Sequence, residues 1–241
     1  MSRSLFRGSG VALVTPMTPD GIDFPALEQL IEWHIASGTD ALILCATTGE
    51  GATLTYAERA EIIERSVRQV NGRVPVIVGT GSNDTRRAIE YARQAQRLGA
   101  AGQLSVTPYY NKTTQSGLIR HYHAILDACP LPMILYNVPG RTGMGLSADT
   151  AAALSRHSSV VGLKEASGNS ALTGEILEKT RGELPIYCGN DDQILPMMAQ
   201  GSCGAISVVS NLLPDKTRAL TRACLERRMD DAQALQLELI P

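Results

Sequence analysis

The sequence predicts an α/β fold, a single (β/α)8 barrel, on three observations. Short apolar runs rich in β-branched residues alternate with longer segments of helical period along the whole chain, the pattern of a parallel sheet with crossover helices. The alternation occurs eight times. A barrel of eight such units takes about 250 residues, so a chain of 241 is used up by one domain. An open doubly wound sheet is the rival architecture.

The strand runs are residues 11–17, 41–46, 74–79, 103–107, 132–138, 160–165, 185–189 and 204–209. Each is followed by a segment with apolar residues on one face: 24–37, 55–70, 84–98, 116–128, 147–157, 171–180, 193–200 and 214–227. Asp84 is placed to cap the third helix and Gly99 to end it, and Ser147 with Thr150 opens the fifth. The last segment, 229–240, starts a further amphipathic helix with Ala232, Leu235 and Leu239 along one stripe. It is a helix begun without a partner. The TIM barrel is therefore assigned to 1–228, and 229–241 to a truncated C-terminal helical extension.

Composition narrows the function classes. With 22 Lys+Arg against 24 Asp+Glu the formal charge is -2, and basic residues adjoin only at Arg86-Arg87 and Arg227-Arg228. Neither nucleic acid nor an anionic membrane is favoured over a small molecule. The N-terminal stretch, residues 1–8, is polar and broken by glycine, and no apolar run approaches the ~20 residues of a membrane helix. A cytoplasmic location is expected. Five widely spaced cysteines, Cys45, Cys129, Cys188, Cys203 and Cys224, contain no C-x-x-C and are read as reduced, small apolar side chains.

In a parallel barrel the reactive groups sit at the carboxyl ends of the strands. Of the four lysines, Lys112, Lys179 and Lys216 fall in a loop or on helices, whereas Lys164 interrupts the apolar run Val160-Val161-Gly162-Leu163-Lys164. Alternation that turns Gly162 and Lys164 toward the axis places an amine where desolvation favours its neutral form. A neutral amine attacks a ketone to give a Schiff base, whose protonated imine stabilises an adjacent carbanion. The competing reading is a strand-end lysine paired with Glu165. Tyr136, on the neighbouring strand, has a phenol able to shuttle protons, with Thr47 as relay and Tyr110 as a further link; rim tyrosines with satisfied hydroxyls are the plain alternative. Thr47-Thr48-Gly49-Glu50-Gly51 offers hydroxyls and amides for a carboxylate. Arg141 is positioned to grip a second carboxylate with two parallel bonds, or to be a solvated loop arginine.

Other chemistries fit less well. His34, His121, His123 and His157 fall on predicted helices, with His121 and His123 pointing two ways, so no metal site is assigned. Dinucleotide, P-loop and Gly-x-Ser-x-Gly motifs are missing from the sequence, and no cofactor is assigned.

Six segments together resemble the dihydrodipicolinate synthase family of pyruvate-dependent Schiff-base aldolases. They are Gly10-Val11-Ala12-Leu13-Val14-Thr15-Pro16, Thr47-Thr48-Gly49-Glu50, Val106-Thr107-Pro108-Tyr109-Tyr110-Asn111, Tyr136-Asn137-Val138-Pro139-Gly140-Arg141-Thr142-Gly143, Gly162-Leu163-Lys164-Glu165-Ala166 and Gly189-Asn190-Asp191-Asp192. The resemblance spans essentially the whole chain. It implies that Lys164 forms the imine with pyruvate and that Tyr136, Thr47 and Tyr110 relay protons, Tyr110 reaching across a tight-dimer interface. It also implies that Thr48 and the turn amides bind the pyruvate carboxylate, that backbone groups of Gly189 and Ile206 border it, and that Arg141 receives the carboxylate of L-aspartate 4-semialdehyde. A homodimer or homotetramer is expected on the same ground. The N-acetylneuraminate lyase branch usually lacks the arginine and has serine in place of the first threonine, so Arg141 and Thr47 favour the synthase over a sugar-acid aldolase. A barrel that binds or assembles without catalysis is the remaining alternative.

One departure bears on regulation. Regulated members of the family hold lysine with an acidic and a histidine side chain at the dimer interface, where this sequence has Arg87 and Tyr56, although Asn83 and Tyr109 remain. Titration with millimolar lysine is expected to leave activity nearly unchanged, and strong inhibition would overturn that expectation.

Overall fold

The computed structural model describes residues 4–239; residues 1–3 and 240–241, and with them the last position of the helix expected at 229–240, lie outside them. The chain order is β1 (Gly8–Ala12), the small hairpin β2 (Met17–Thr18) and β3 (Gly21–Ile22), α1 (Phe24–Ala36), β4 (Ala41–Leu44), α2 (Tyr56–Val70), β5 (Val76–Gly79) and α3 (Thr85–Arg97). Then come β6 (Gly102–Val106), α4 (Gln115–Ala128), β7 (Met133–Asn137), the single turn α5 (Pro139–Thr142), α6 (Ala148–Leu154), β8 (Val160–Glu165) and α7 (Ser170–Lys179). β9 (Ile186–Cys188), α8 (Ile194–Gln200), β10 (Gly204–Ser207), α9 (Pro214–Leu225) and α10 (Met229–Leu239) complete it. Apart from the hairpin, the strands form one closed parallel ring in which β1 pairs with both β4 and β10. That closure excludes the open sheet.

Period-two alternation divides the apolar residues between two cores. Ile43, Ile77, Leu104, Ile134 and Ile206 fill the ring interior, while Val11, Leu42, Val78, Leu135 and Leu163 face the helices. At the amino-terminal end Phe6 stacks on Tyr187 with centroids 4.4 Å apart, and the Tyr187 hydroxyl donates to the Phe6 carbonyl at 2.8 Å. This plug leaves the carboxyl end as the open mouth.

β1 differs from the run read at 11–17: it begins at Gly8 and its ladder ends at Ala12. Its first residues are small for steric reasons. A Cβ on Gly10 would lie 2.7 Å from the Phe6 ring, and one on Gly8 would collide with the Asp40 carboxylate, which receives the Ser9 N–H at 2.8 Å. Small residues carry no apolar signal, so the true start was hidden, while beyond Leu13 the chain leaves the ladder, the Val14 N–H donating instead to the Asn211 side-chain oxygen at 3.0 Å.

The expected caps are present. Asp84 accepts from Arg86 N at 2.9 Å, Ser147 accepts from Thr150 N at 3.2 Å, and Gly99 takes the left-handed conformation with φ of 84°. α2 carries a reciprocal capping box between Thr55 and Glu58.

The final helix is not without a partner, contrary to the sequence expectation. α10 packs on α9 and α8, burying Ala232 and Leu239 with Leu235 partly covered. From its buried face the Gln236 amide donates to the Asp191 carbonyl at 2.9 Å, and its oxygen accepts from Leu195 N at 2.9 Å. The helix thus holds the loop that follows β9.

Candidate active site

β8 supplies the central group. Its register sets Lys164 beside Tyr136 of β7 and Tyr187 of β9, so the alternation that sends Leu163 outward turns Lys164 into the ring. The residue is 3% exposed. No carboxylate lies within ion-pair distance of its nitrogen among the described residues. Glu165 is turned the other way: it accepts from the Asn137 amide at 2.7 Å and from Ser167 N at 2.5 Å. The structural pairing of Lys164 with Glu165 is therefore excluded. Lys112 is exposed, while Lys179 and Lys216 sit in surface ion pairs with Asp149 and Glu238.

Burial lowers the Lys164 pKa from 10.5 to about 8, because an ammonium loses its hydration shell inside the ring. Asp191 and Cys188 oppose the shift and Arg141 adds to it. Asp191 is otherwise engaged, one oxygen accepting from Val208 N and Val209 N at 3.0 Å each. Close approach makes one glycine obligatory, since a Cβ at Gly189 would lie 2.9 Å from Lys164 Cε and 2.7 Å from Ala166 Cβ.

Lys164 Nζ lies 4.5 Å from the centroid of the Tyr136 ring. Tyr136 is buried, which pushes its phenol pKa up, while Arg141 and a hydrogen bond with the Thr47 side chain pull it down. Tyr136, Thr47 and Arg141 share the wall of a cavity of about 390 Å³ that also meets Glu50, Arg59, Arg87, Tyr91 and Tyr109. Lys164 is not itself a wall residue; its nitrogen lies over the ring of Tyr136, which is one.

The turn after β4 is tight. Cys45 and Glu50, at φ of 51° and 55°, flank it in the left-handed region, and Gly51 N donates to Ala46 O at 3.0 Å across its base. The amides of Thr47 and Thr48 donate to no backbone carbonyl among the described residues, as a carboxylate-binding turn requires. Arg141 lies exposed on α5, and Ile206 is fully buried with its side chain in the ring interior.

Tyr110 is the exception. It is 91% exposed, on a loop where it and Lys112 have φ of 68° and 45°, and it does not join the cavity of its own chain. Of the positions read as the lysine pocket, Arg87 and Tyr109 line the cavity, whereas the Tyr56 hydroxyl takes a hydrogen bond from Arg97 at 2.9 Å.

Two groupings were missed in the sequence. The first is the brace around Asn137, which donates to Glu165 and accepts from Leu146 N at 2.9 Å, tying the Arg141 loop to β8; Asn137 and Glu165 were visible only as motif letters. The second is on the outer surface, where His123, Asp127 and His157 bring their ligating atoms within 4.8 Å of one another. His157 lies in a turn rather than on a helix. Its Nδ1 accepts from Ser159 N at 3.1 Å and so is already engaged, while Nε2 faces Asp127 at 4.0 Å.

A (β/α)8 barrel holding a buried, unpaired strand lysine against a phenol at its open mouth defines a class I, Schiff-base-forming lyase. The family model described as Dihydrodipicolinate synthetase family matches residues 5–241, and the chain belongs to that family. The 4-hydroxy-tetrahydrodipicolinate synthase of Thermoanaerobacter sp. (strain X514) is 48% identical over 238 residues, covering 98% of this chain and 80% of the relative. That of Geotalea daltonii is 49% identical over 236 residues, covering 98% and 81%. Among solved structures, dihydrodipicolinate synthase from Aquifex aeolicus superposes with a TM-score of 0.95 at 40% identity, covering 97% of this chain and 80% of that one. The Acinetobacter baumannii enzyme, solved with pyruvate, gives 0.94 at 43% identity, covering 96% and 80%.

The lowered lysine pKa sets a pH dependence. Below about 8 the ammonium is the majority form and cannot attack a carbonyl, so imine formation at low pyruvate is expected to rise roughly tenfold per unit up to that point and then level off. A burst measurement showing the inflection near 10 instead would contradict it.

Proposed function

We propose that this protein condenses pyruvate with L-aspartate 4-semialdehyde to give 4-hydroxy-tetrahydrodipicolinate, with loss of water, in lysine and diaminopimelate biosynthesis. The observation that carries the reading is the Lys164 amine, dehydrated, without a counter-ion and set against Tyr136. The relatives' names, 4-hydroxy-tetrahydrodipicolinate synthase, support the choice of substrates. Arg141 on the cavity wall supports a second substrate that carries a carboxylate.

In the first step the neutral amine adds to the C2 ketone of pyruvate, and the carbinolamine takes up a proton and loses water to leave a protonated imine. The imine draws electrons from the C3–H bond, and the departing proton passes to the Tyr136–Thr47 pair. The resulting enamine attacks the aldehyde carbon, whose oxygen takes a proton from the same pair. The amino group of the condensed product then attacks the imine carbon and displaces the Lys164 nitrogen, closing the ring, whose nitrogen releases the proton taken up at the start, and regenerating the free amine. The sequence of steps balances without oxidant or reductant.

Thr48 and the turn amides are assigned to the pyruvate carboxylate, with the backbone at Gly189 and Ile206 beside it. Tyr110 is assigned to the neighbouring site of a homodimer. Its exposure and positive φ support projection into a second copy, since an aromatic ring held out in water by a strained backbone gains burial on pairing. The reading implies a cytoplasmic enzyme, which accords with five free cysteines; no helix among the described residues is long and apolar enough to cross a membrane. α10 is read as an extension appended to the barrel of 1–228.

Reduction with borohydride in the presence of pyruvate is expected to add one pyruvate-derived mass at Lys164 and to abolish turnover. Failure to trap the adduct in folded protein would leave only a binding or assembly role. The trapped intermediate's partner is then read from a panel of aldehydes, where consumption of a sugar aldehyde in preference to aspartate semialdehyde would reassign the substrate. Sedimentation is expected to show a dimer or tetramer, and an active monomer would remove Tyr110 from the mechanism.

A further inference from the structure

Arg59, on the first turn of α2, is 1% exposed and makes no ion pair with a carboxylate among the described residues. Burying a guanidinium is costly unless its donors are satisfied, and here they are spent on backbone. Nη1 donates to the carbonyls of Cys45 at 3.4 Å and Gly51 at 3.3 Å, Nη2 donates to that of Gly79, and the group lies 4.1 Å from the centroid of the Tyr91 ring. Nε has no partner.

Those three carbonyls belong to the exit of β4, the far end of the turn carrying Thr47 and Thr48, and the last residue of β5. Both ends of the turn and the adjacent strand are therefore held by one side chain. The crowding is severe enough to require glycine, since a Cβ on Gly51 would lie 2.0 Å and one on Gly79 2.5 Å from the Cys45 oxygen. The turn itself is closed by few backbone bonds and flanked by left-handed residues, so it does not hold its shape by regular structure.

We infer that Arg59 is a positioning residue for the keto-acid carboxylate: its guanidinium clamps the strained turn so that Thr48 and the turn amides converge on one point, and its uncompensated charge favours an anion there. The inference rests on the proposed role of that turn. Lysine in its place supplies a point charge but not the planar fork that reaches three carbonyls. Losing a charged hydrogen-bond set of this kind corresponds to about ten- to hundredfold in binding.

The test is the pyruvate concentration dependence of borohydride trapping at Lys164, in the full chain, for wild type, Arg59→Lys, Arg59→Gln and Tyr122→Phe. The last removes a buried hydroxyl donating to Ser105 O, away from the turn, and serves as a control for general loss of stability. The expected result is a half-saturating pyruvate concentration raised about tenfold or more in both Arg59 variants, with the trapping rate at saturation within about twofold of wild type and Tyr122→Phe unchanged. Restoration of Arg59→Gln toward the wild-type constant by added guanidinium would support the clamp further. A folded Arg59→Lys with an unaltered pyruvate constant overturns the inference, as does a parallel loss in Tyr122→Phe at equal stability. If wild type itself is not trapped, the keto-acid reading falls and this inference with it; if wild type is trapped and the variants match it, only the inference falls.

Discussion

The site depends on the dehydration of one amine. Lys164 is enclosed by strands whose inward apolar residues are mainly isoleucine, alanine and tyrosine, and the nearest acid in sequence, Glu165, is committed to Asn137 and Ser167. Had that carboxylate faced inward, attraction would have held the ammonium charged and unreactive. A strand's two-sided alternation sends adjacent residues to opposite faces, so a lysine and a glutamate one position apart serve separate purposes: one is buried without a counter-ion, and the other braces the loop that carries Arg141.

Around that amine the backbone, rather than packing, does much of the shaping. The turn bearing Thr47 and Thr48 is bounded by two left-handed non-glycine residues, and the loop bearing Tyr110 by two more if Tyr110 itself is counted. Such conformations cost of order 1–3 kcal/mol each and persist only where neighbouring groups enforce them. For the first of these turns the enforcing group is Arg59 with three carbonyls, and across the mouth Asn137 with Glu165 and Leu146 braces the Arg141 loop. The site is built of strained loops held by buried polar side chains fixed to rigid strands.

The periphery is tied to this arrangement through α10. Gln236 reaches from the last helix to the loop after β9, whose Asp191 carboxylate in turn receives two amides of the segment following β10. Loop order at the mouth therefore depends partly on a helix outside the eight-fold repeat.

Much of the architecture was legible in the chain itself, because period-two and period-3.6 patterning survive in sequence wherever one face meets a core. Eight strand runs and their helices follow from that patterning, and the Asp84 and Ser147 caps from residue type, whereas the face taken by Lys164 stayed open between an inward amine and a pairing with Glu165. The start of β1 did not, because crowding at Gly8 and Gly10 demands residues with no apolar signature. Only the closed ring decided that Glu165 turns away from Lys164, that Arg59 meets three carbonyls from separate segments, that His157 approaches His123 and Asp127, and that α10 has a surface to pack on. Each is a contact between residues distant in sequence or a choice between two faces of a strand, and local propensity carries no information about either until the barrel brings the segments together.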